Sequence, residues 1–298
     1  MLKSFVSRLL VALGVALLFG AGPAEAKSPP VHPALWELAD ADTTIYLFGT
    51  IHLLPEHYQW RTPTFDRAVN GSQQLVVETI VDDKNPQKMM QALASLAFSK
   101  GLPPVAERVP PASRPALEAA IAKSGIPRPA LDQMETWAVA FMLLGNQFKD
   151  LGLKGQEGVE KVLRDNFSTN GKPIGELETN VEQLGFFDKL PESAQRELLE
   201  GAIDQKQSMK GEFGQMLAAW GRGDVKAIAR TFNRDLGNTP ELKQALIERR
   251  NANWSHWIEQ RMAQPGSVLI AVGAGHLAGK GSVIDMLQHS GYRVRRVQ

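Results

Sequence analysis

The sequence predicts a mixed α/β domain in which strands from the two ends of the chain share one sheet, with a large helical stretch inserted between them. Three observations carry this. Residues 45–54 read Ile-Tyr-Leu-Phe-Gly-Thr-Ile-His-Leu-Leu and residues 268–278 read Val-Leu-Ile-Ala-Val-Gly-Ala-Gly-His-Leu-Ala. An apolar, β-prone run therefore ends twice in the frame Gly-x-x-His-Leu, at Gly49 to His52 and at Gly273 to His276. Both motifs stand in the same local order of strand, motif, helix, strand. Between them apolar residues recur at helical spacing, interrupted by one β-like island, Lys172 to Thr179.

The elements follow in order. Lys3 and Arg8 form a positive segment, Leu9 to Gly20 an apolar one, and Ala24-Glu25-Ala26 a small-x-small site, the pattern of a secretory signal peptide cleaved after Ala26. A periplasmic or secreted protein beginning at Lys27 is expected. No later segment approaches the roughly 20 apolar residues of a transmembrane helix. Residues 28–33 are a proline-rich, extended leader. Leu35 to Leu38 and Thr43 to Phe48 flank Ala39-Asp40-Ala41-Asp42 and read as a β-hairpin leading into the first motif. Thr62-Pro63 opens a helix in N-cap and N1 order that runs to about Asn70-Gly71. Gln74 to Thr79 is a buried strand with Glu78 at its far end.

Helices are predicted over Pro86–Lys100, Ser113–Ser124, Asp132–Lys149, Gly158–Asn170, Pro191–Lys206, Glu212–Trp220, Val225–Arg234 and Pro240–Ala263. The island at 172–179 places Glu176 and Glu178 on one strand face. A strand over 267–272, a helix from about Lys280 to His289 and a strand from Tyr292 to Val297 complete the chain. One domain is expected over residues 27–298, with helical insertions at about 81–170 and 180–263, the first of them a lobe over the sheet.

Composition narrows the function. Cysteine is absent, which removes disulfides and thiolate metal ligands. With 33 Lys plus Arg against 32 Asp plus Glu, and no basic run interleaved with aromatics, nucleic acid is not an expected partner. No His-Glu-x-x-His helix and no Gly-x-Ser-x-Gly elbow occurs. The glycines of Gly273-Ala-Gly275-His-Leu-Ala-Gly279 imitate a dinucleotide loop, but residues 280–298 are too few for the βαβ unit and acidic ribose ligand that such a loop requires after it.

Two histidines and a glutamate at strand ends suit a borderline divalent ion with positions left open for water and substrate. His52, His276 and Glu78 are the candidate ligands, set against the bland reading of each histidine as a capping or hydrogen-bonding group at a strand-loop junction and of Glu78 as a solvated strand end. His32 falls in the leader, His57 in a polar loop, His289 at a helix end and His256 on an amphipathic helix, and none of these is a candidate.

Gly-Thr-Ile-His at 49–52, Glu78, Leu-Glu-Thr-x-x-x-Gln at 177–183, Arg-Asn-x-x-Trp at 250–254 and Val-Gly-Ala-Gly-His-Leu at 272–277 together resemble the TraB/GumN family, whose animal members are the TIKI proteins. The likeness covers about residues 34–297. It implies an α/β core of the erythromycin esterase and ChaN type. It also implies a metal-dependent hydrolase site at His52, His276 and Glu78, with Glu178 and Arg250 in support.

The leading expectation is a metal-dependent hydrolase of the cell envelope that cleaves a peptide or protein substrate. Manganese, cobalt and zinc all suit such ligands. Glu78 or Glu178 would serve as base or third ligand, and Arg250 would stabilise an oxyanion or hold a substrate carboxylate. Two alternatives stand beside it: a non-catalytic protein that binds a peptide, haem or glycan, and a metal-independent esterase with His52 as base.

Overall fold

The computed structural model describes residues 31–298 apart from Lys84, residues 204–205 and residues 237–239. The expected signal peptide lies outside the described residues. Numbered along the chain, the strands are β1 (Leu35–Ala39), β2 (Thr43–Thr50), β3 (Leu54–Pro55), β4 (Gln74–Val77), β5 (Leu153–Lys154), β6 (Ile174–Glu176), β7 (Gly266–Gly273) and β8 (Val294–Arg296). Six of them form one sheet in the order β6-β4-β7-β2-β1-β8, while β3 and β5 pair separately.

The hairpin of β1 and β2 forms as expected. Asp40 accepts the backbone N–H groups of Asp42 and Thr43 at 3.1 and 2.9 Å and so fixes the turn. β2 then pairs in parallel with β7 along its whole length, Gly49 opposite Val272 and Thr50 opposite Gly273. β7 pairs in parallel with β4, and β4 with β6. Strands from the two chain ends thus lie side by side, and four parallel strands end at one edge of the sheet. At that edge stand His52 after β2, Glu78 after β4, Glu178 after β6 and His276 after β7.

Both faces of the sheet are covered, which is why its central strands are nearly continuous apolar runs. Alternation along β7 divides the core. Val268, Ile270 and Val272 face a layer built by Trp254, Ile258 and Met262 of the helix Arg249–Met262 and by Val283, Ile284 and Leu287 of the helix Val283–His289. Leu269 and Ala271, with Phe48, Leu75 and Val77, face the helical insertions. The helices that bear on the site are α1 (Pro63–Gly71), α2 (Val159–Thr169), α3 (Asn180–Asp188), α4 (Arg249–Met262) and α5 (Val283–His289). In α1, Thr62 caps by accepting from the N–H of Phe65 with Pro63 at N1, as its sequence indicates.

Three differences from the sequence-based elements have local causes. The helix expected over 240–263 is divided by a π-helical segment, Gln244–Glu248, before α4 begins. The wider turn resets the rotational phase of the residues that follow it. The strand expected over 172–179 ends at Glu176, and Glu176 and Glu178 do not share a face. Glu176 accepts the backbone N–H of Ile80 at 2.7 Å, while Glu178 is carried past the strand into the interior. Finally, α3 opens the second helical insertion at a place where no individual helix is predicted. It is nucleated by a capping box in which Thr179 and Glu182 satisfy each other's backbone N–H groups. Among the described residues no helix is long and apolar enough to cross a membrane.

Candidate functional site

The five residues singled out from sequence all reach the sheet edge, but they divide into two environments. Arg250, on α4, is 1% exposed and sits in a cage of carboxylates. Its Nε donates to both oxygens of Glu178 at 2.9 and 3.0 Å, and its Nη2 donates to Glu178 Oε2 at 2.8 Å and to Glu78 Oε2 at 2.7 Å. Trp254, one turn along α4, donates from its indole to Glu178 Oε1 at 3.0 Å and lies under the guanidinium, whose Cζ stands 4.6 Å from its ring centre. Glu78 is held further by the backbone N–H of Gly273 at 2.7 Å and by Gln183 Nε2 of α3 at 3.2 Å. Burial works against the Arg250 charge, but Glu78 and Glu178 outweigh it and hold its pKa above the usual arginine range. Burial, then the neighbouring Glu78, raises Glu178 above the usual carboxylate range although Arg250 and Trp254 oppose this.

His276 belongs to the same cage. Asn251 donates its amide N–H to the carbonyl of Gly281 at 2.7 Å, so its Oδ1 faces His276 Nδ1, also at 2.7 Å. That network assigns the imidazole proton to Nδ1 and leaves Nε2 to accept from Arg250 Nη1 at 3.3 Å. Burial, followed by the charges of Arg250 and His52, lowers the His276 pKa well below the usual histidine value, so the ring is neutral.

His52 has a different partner, one that its sequence neighbourhood does not announce. Its Nδ1 lies 2.5 Å from Oε1 of Glu160, in the first turn of α2, and Thr50 Oγ1 hydrogen-bonds to the same oxygen. Burial raises the Glu160 pKa, but the charge and hydrogen bond of His52 and the Thr50 hydroxyl outweigh it and bring the carboxyl below its usual range. The docking depends on Gly158. A Cβ there would drive into the carbonyl of His52, and the next residue, Val159, donates its N–H to the carbonyl of Ile51 at 3.1 Å. The signal in the sequence is the frame Gly158-Val-Glu160 at a helix start, where a glycine permits close approach and a carboxylate follows. Gly49 and Gly275, each close to a motif histidine, also serve close packing. A Cβ on Gly49 would lie 3.0 Å from Cα of Ala274, and one on Gly275 would enter the ring of Phe232.

An open cleft reaches His52, Glu160, Glu78 and Gln183, with Thr79, Val81, Asp83, Gly155, Gln156, Lys161 and Arg164 on its walls. It lies at the carboxyl ends of the parallel strands, the usual place for ligands in such sheets. Arg250 and His276 do not line it. Among the described residues no group of three His, Cys, Asp or Glu stands in metal-ligand proximity. The donor chemistry of the cleft nevertheless suits a divalent ion. His52 and Glu78 share it, and a carboxylate on the far nitrogen of the imidazole is how metal-bound histidines are commonly oriented.

The uncharacterized protein YbaP of Escherichia coli K12 is 25% identical over 259 residues, covering 86% of this chain and 92% of YbaP. YbaP of Shigella flexneri is 26% identical over 246 residues, covering 82% and 87%. No solved structure matches. The model of the TraB/PrgY/gumN family matches residues 34–296, from the first strand of the sheet to the last, and the chain belongs to that family.

Proposed function

We propose that this protein is a divalent-metal-dependent hydrolase of the cell envelope that acts on peptide bonds. One observation carries the reading: the buried His52–Glu160 pair and Glu78 meet on an open cleft at the carboxyl ends of the parallel strands. The signal-peptide pattern at residues 1–26 supports the compartment, and the family resemblance supports the substrate class.

His52, Glu78 and His276 would hold the ion, whose chemistry when bound would be to make a water more acidic and to polarise a scissile carbonyl. Two of these donors face the cleft, whereas His276 Nε2 would exchange its 3.3 Å contact with Arg250 for the ion. The other residues position. Glu160 keeps the proton of His52 on Nδ1 and so presents Nε2 as the donor. Arg250, buried and carboxylate-bound, fixes Glu78 at the cleft floor, while Gln183 and the Gly273 N–H set its rotation. Glu178 balances the Arg250 charge.

The test is metal content and peptide cleavage by residues 27–298, purified without chelator, beside His52→Ala and His276→Ala. The expected result is about one ion per chain in the parent, loss of it in both variants, and new peptide N-termini only from the metal-loaded parent. Absence of metal after exposure to manganese, cobalt or zinc would refute the reading.

A second reading rests on the same pair. A histidine held at Nδ1 by a buried carboxylate is also the arrangement of a general base, which suits an esterase without metal. Full activity after exhaustive chelation, abolished by Glu160→Gln, would select it.

A further inference from the structure

We propose that Arg164 is a substrate-anchoring residue that binds a carboxylate, so that the cleft takes peptides ending in a free C-terminal carboxylate close to the reacting bond. The inference rests on the hydrolase reading for the word substrate, but the binding it describes does not require turnover.

Among the described residues the charges of the cleft are paired off with one exception. Glu160 is matched by His52 and Glu78 by Arg250. Lys161 Nζ is 3.5 Å from Asp83 and also pairs with Asp165. Arg164 lines the same cleft, half-buried, and its guanidinium makes no ion pair or hydrogen bond among the described residues. A guanidinium so placed offers five donors in a planar fork that matches a carboxylate.

Its position sets the distance. Glu160 and Arg164 both lie on α2, four residues apart and therefore on one face, about 6 Å along the helix axis. Glu160 marks the reacting end because it holds His52. In an extended peptide one residue spans about 3.3 Å, so a step of about 6 Å places a carboxylate within two residues of the bond at His52. A C-terminal carboxylate there would complete the one unmatched charge. An internal Asp or Glu side chain supplies the same chemistry from a different source.

The experiment uses immobilised protein carrying His52→Ala, which removes turnover, and three random hexapeptide pools: free C-terminus, amidated C-terminus, and amidated C-terminus enriched in Asp and Glu. Retention is read by mass spectrometry for the His52→Ala protein and for its Arg164→Gln, Arg164→Lys and Lys161→Gln derivatives. The expected result is preferential retention of the free-carboxylate pool, reduced about tenfold by Arg164→Gln, partly restored by Arg164→Lys and little changed by Lys161→Gln. Retention of only the Asp- and Glu-enriched pool would overturn the C-terminal assignment in favour of an acidic side chain. Equal retention of all pools, no retention of any, or a carboxylate preference that survives Arg164→Gln would overturn the proposal. The same pools incubated with the parent protein and metal report new N-termini, so carboxylate-selective binding without cleavage would leave this inference standing while the hydrolase reading fell.

Discussion

The two histidines of the repeated motif occupy opposite kinds of surroundings. His276 is 1% exposed and saturated: Asn251 takes one nitrogen, Arg250 the other, and the Trp254 ring packs at a tilt with its centre 4.4 Å away. His52 is likewise buried, at 7%, but it lies on the wall of a cleft and is braced from one side by Glu160 and Thr50. Equal sequence frames have therefore yielded an enclosed half, structural until Arg250 yields its place on His276, and a half open to the cleft, the reactive one under the proposed function. The lesson is that a strand end delivers a side chain to a place, and the partners on neighbouring elements decide what it does there.

Breaking the structural half should have the largest effect. Arg250→Ala leaves Glu78 and Glu178 buried without their cation, and removing one partner of a buried ionic group destabilises by about 3–5 kcal/mol. Urea denaturation should show that loss; a variant within about 0.5 kcal/mol of the parent would mean that the cage is not the stabilising unit described. Glu178→Gln is the milder form. Because the Glu178 pKa is raised in the folded chain, the folded state keeps a proton that the unfolded state has already released above about pH 4.3. The stability this contributes is full below that pH and lost as pH rises through the folded value. The stability gap between the parent and Glu178→Gln should thus narrow as pH rises from about 4. A gap that widens over that range would show that Arg250, not burial, dominates Glu178.

How much of this contrast is legible in the sequence follows from the range of each interaction. The hairpin, the two strands that share one sheet from opposite chain ends and the cap of α1 are legible, because apolar runs, Asp-rich turns and Thr-Pro order act locally, whereas the parallel pairing of β2 with β7 is set by contacts across the fold. Glu78 is legible as a strand end, whereas Glu178 and Arg250 join it at that edge only through the family resemblance. Their mutual pairing is not legible, since an Arg-Arg pair on a helix reads as a solvated face. Arg249 is indeed exposed while Arg250 is buried, and the π-helical segment just before them, which helical periodicity does not encode, precedes that division. Glu160 is hidden for a different reason. A glutamate in a first helical turn is ordinarily a favourable exposed charge at the positive end of the dipole, and only the contact across the fold reveals its partner.

Breaking the reactive half should leave the fold and remove the function. Gly158→Ala introduces a Cβ against the His52 carbonyl, so the first turn of α2 must back away. Overpacking of this kind costs about 1–3 kcal/mol, and the larger consequence is that Glu160 no longer reaches Nδ1. Metal affinity and peptide cleavage should fall together in Gly158→Ala even at temperatures where circular dichroism shows the chain folded. Unchanged affinity in a folded Gly158→Ala protein would separate Glu160 from the site.

Glu160→Gln sharpens the comparison with the smallest structural change. The amide keeps the shape of the carboxyl and can still accept from His52 Nδ1–H, and Thr50 can still donate to it. What disappears is the negative charge that favours the imidazole. Loss of an orienting carboxylate typically lowers metal affinity or activity by about 10- to 100-fold, and stability should change by only about 1–3 kcal/mol. The matching change on the other side, Asn251→Ala, removes the acceptor that fixes the proton of His276. If His276 is the structural half, Asn251→Ala should lower the unfolding midpoint more than it lowers turnover of the protein that remains folded, the reverse of Glu160→Gln. Equal ratios of the two losses in both variants would show that the two histidines serve the site alike, with no division between an enclosed and an open one.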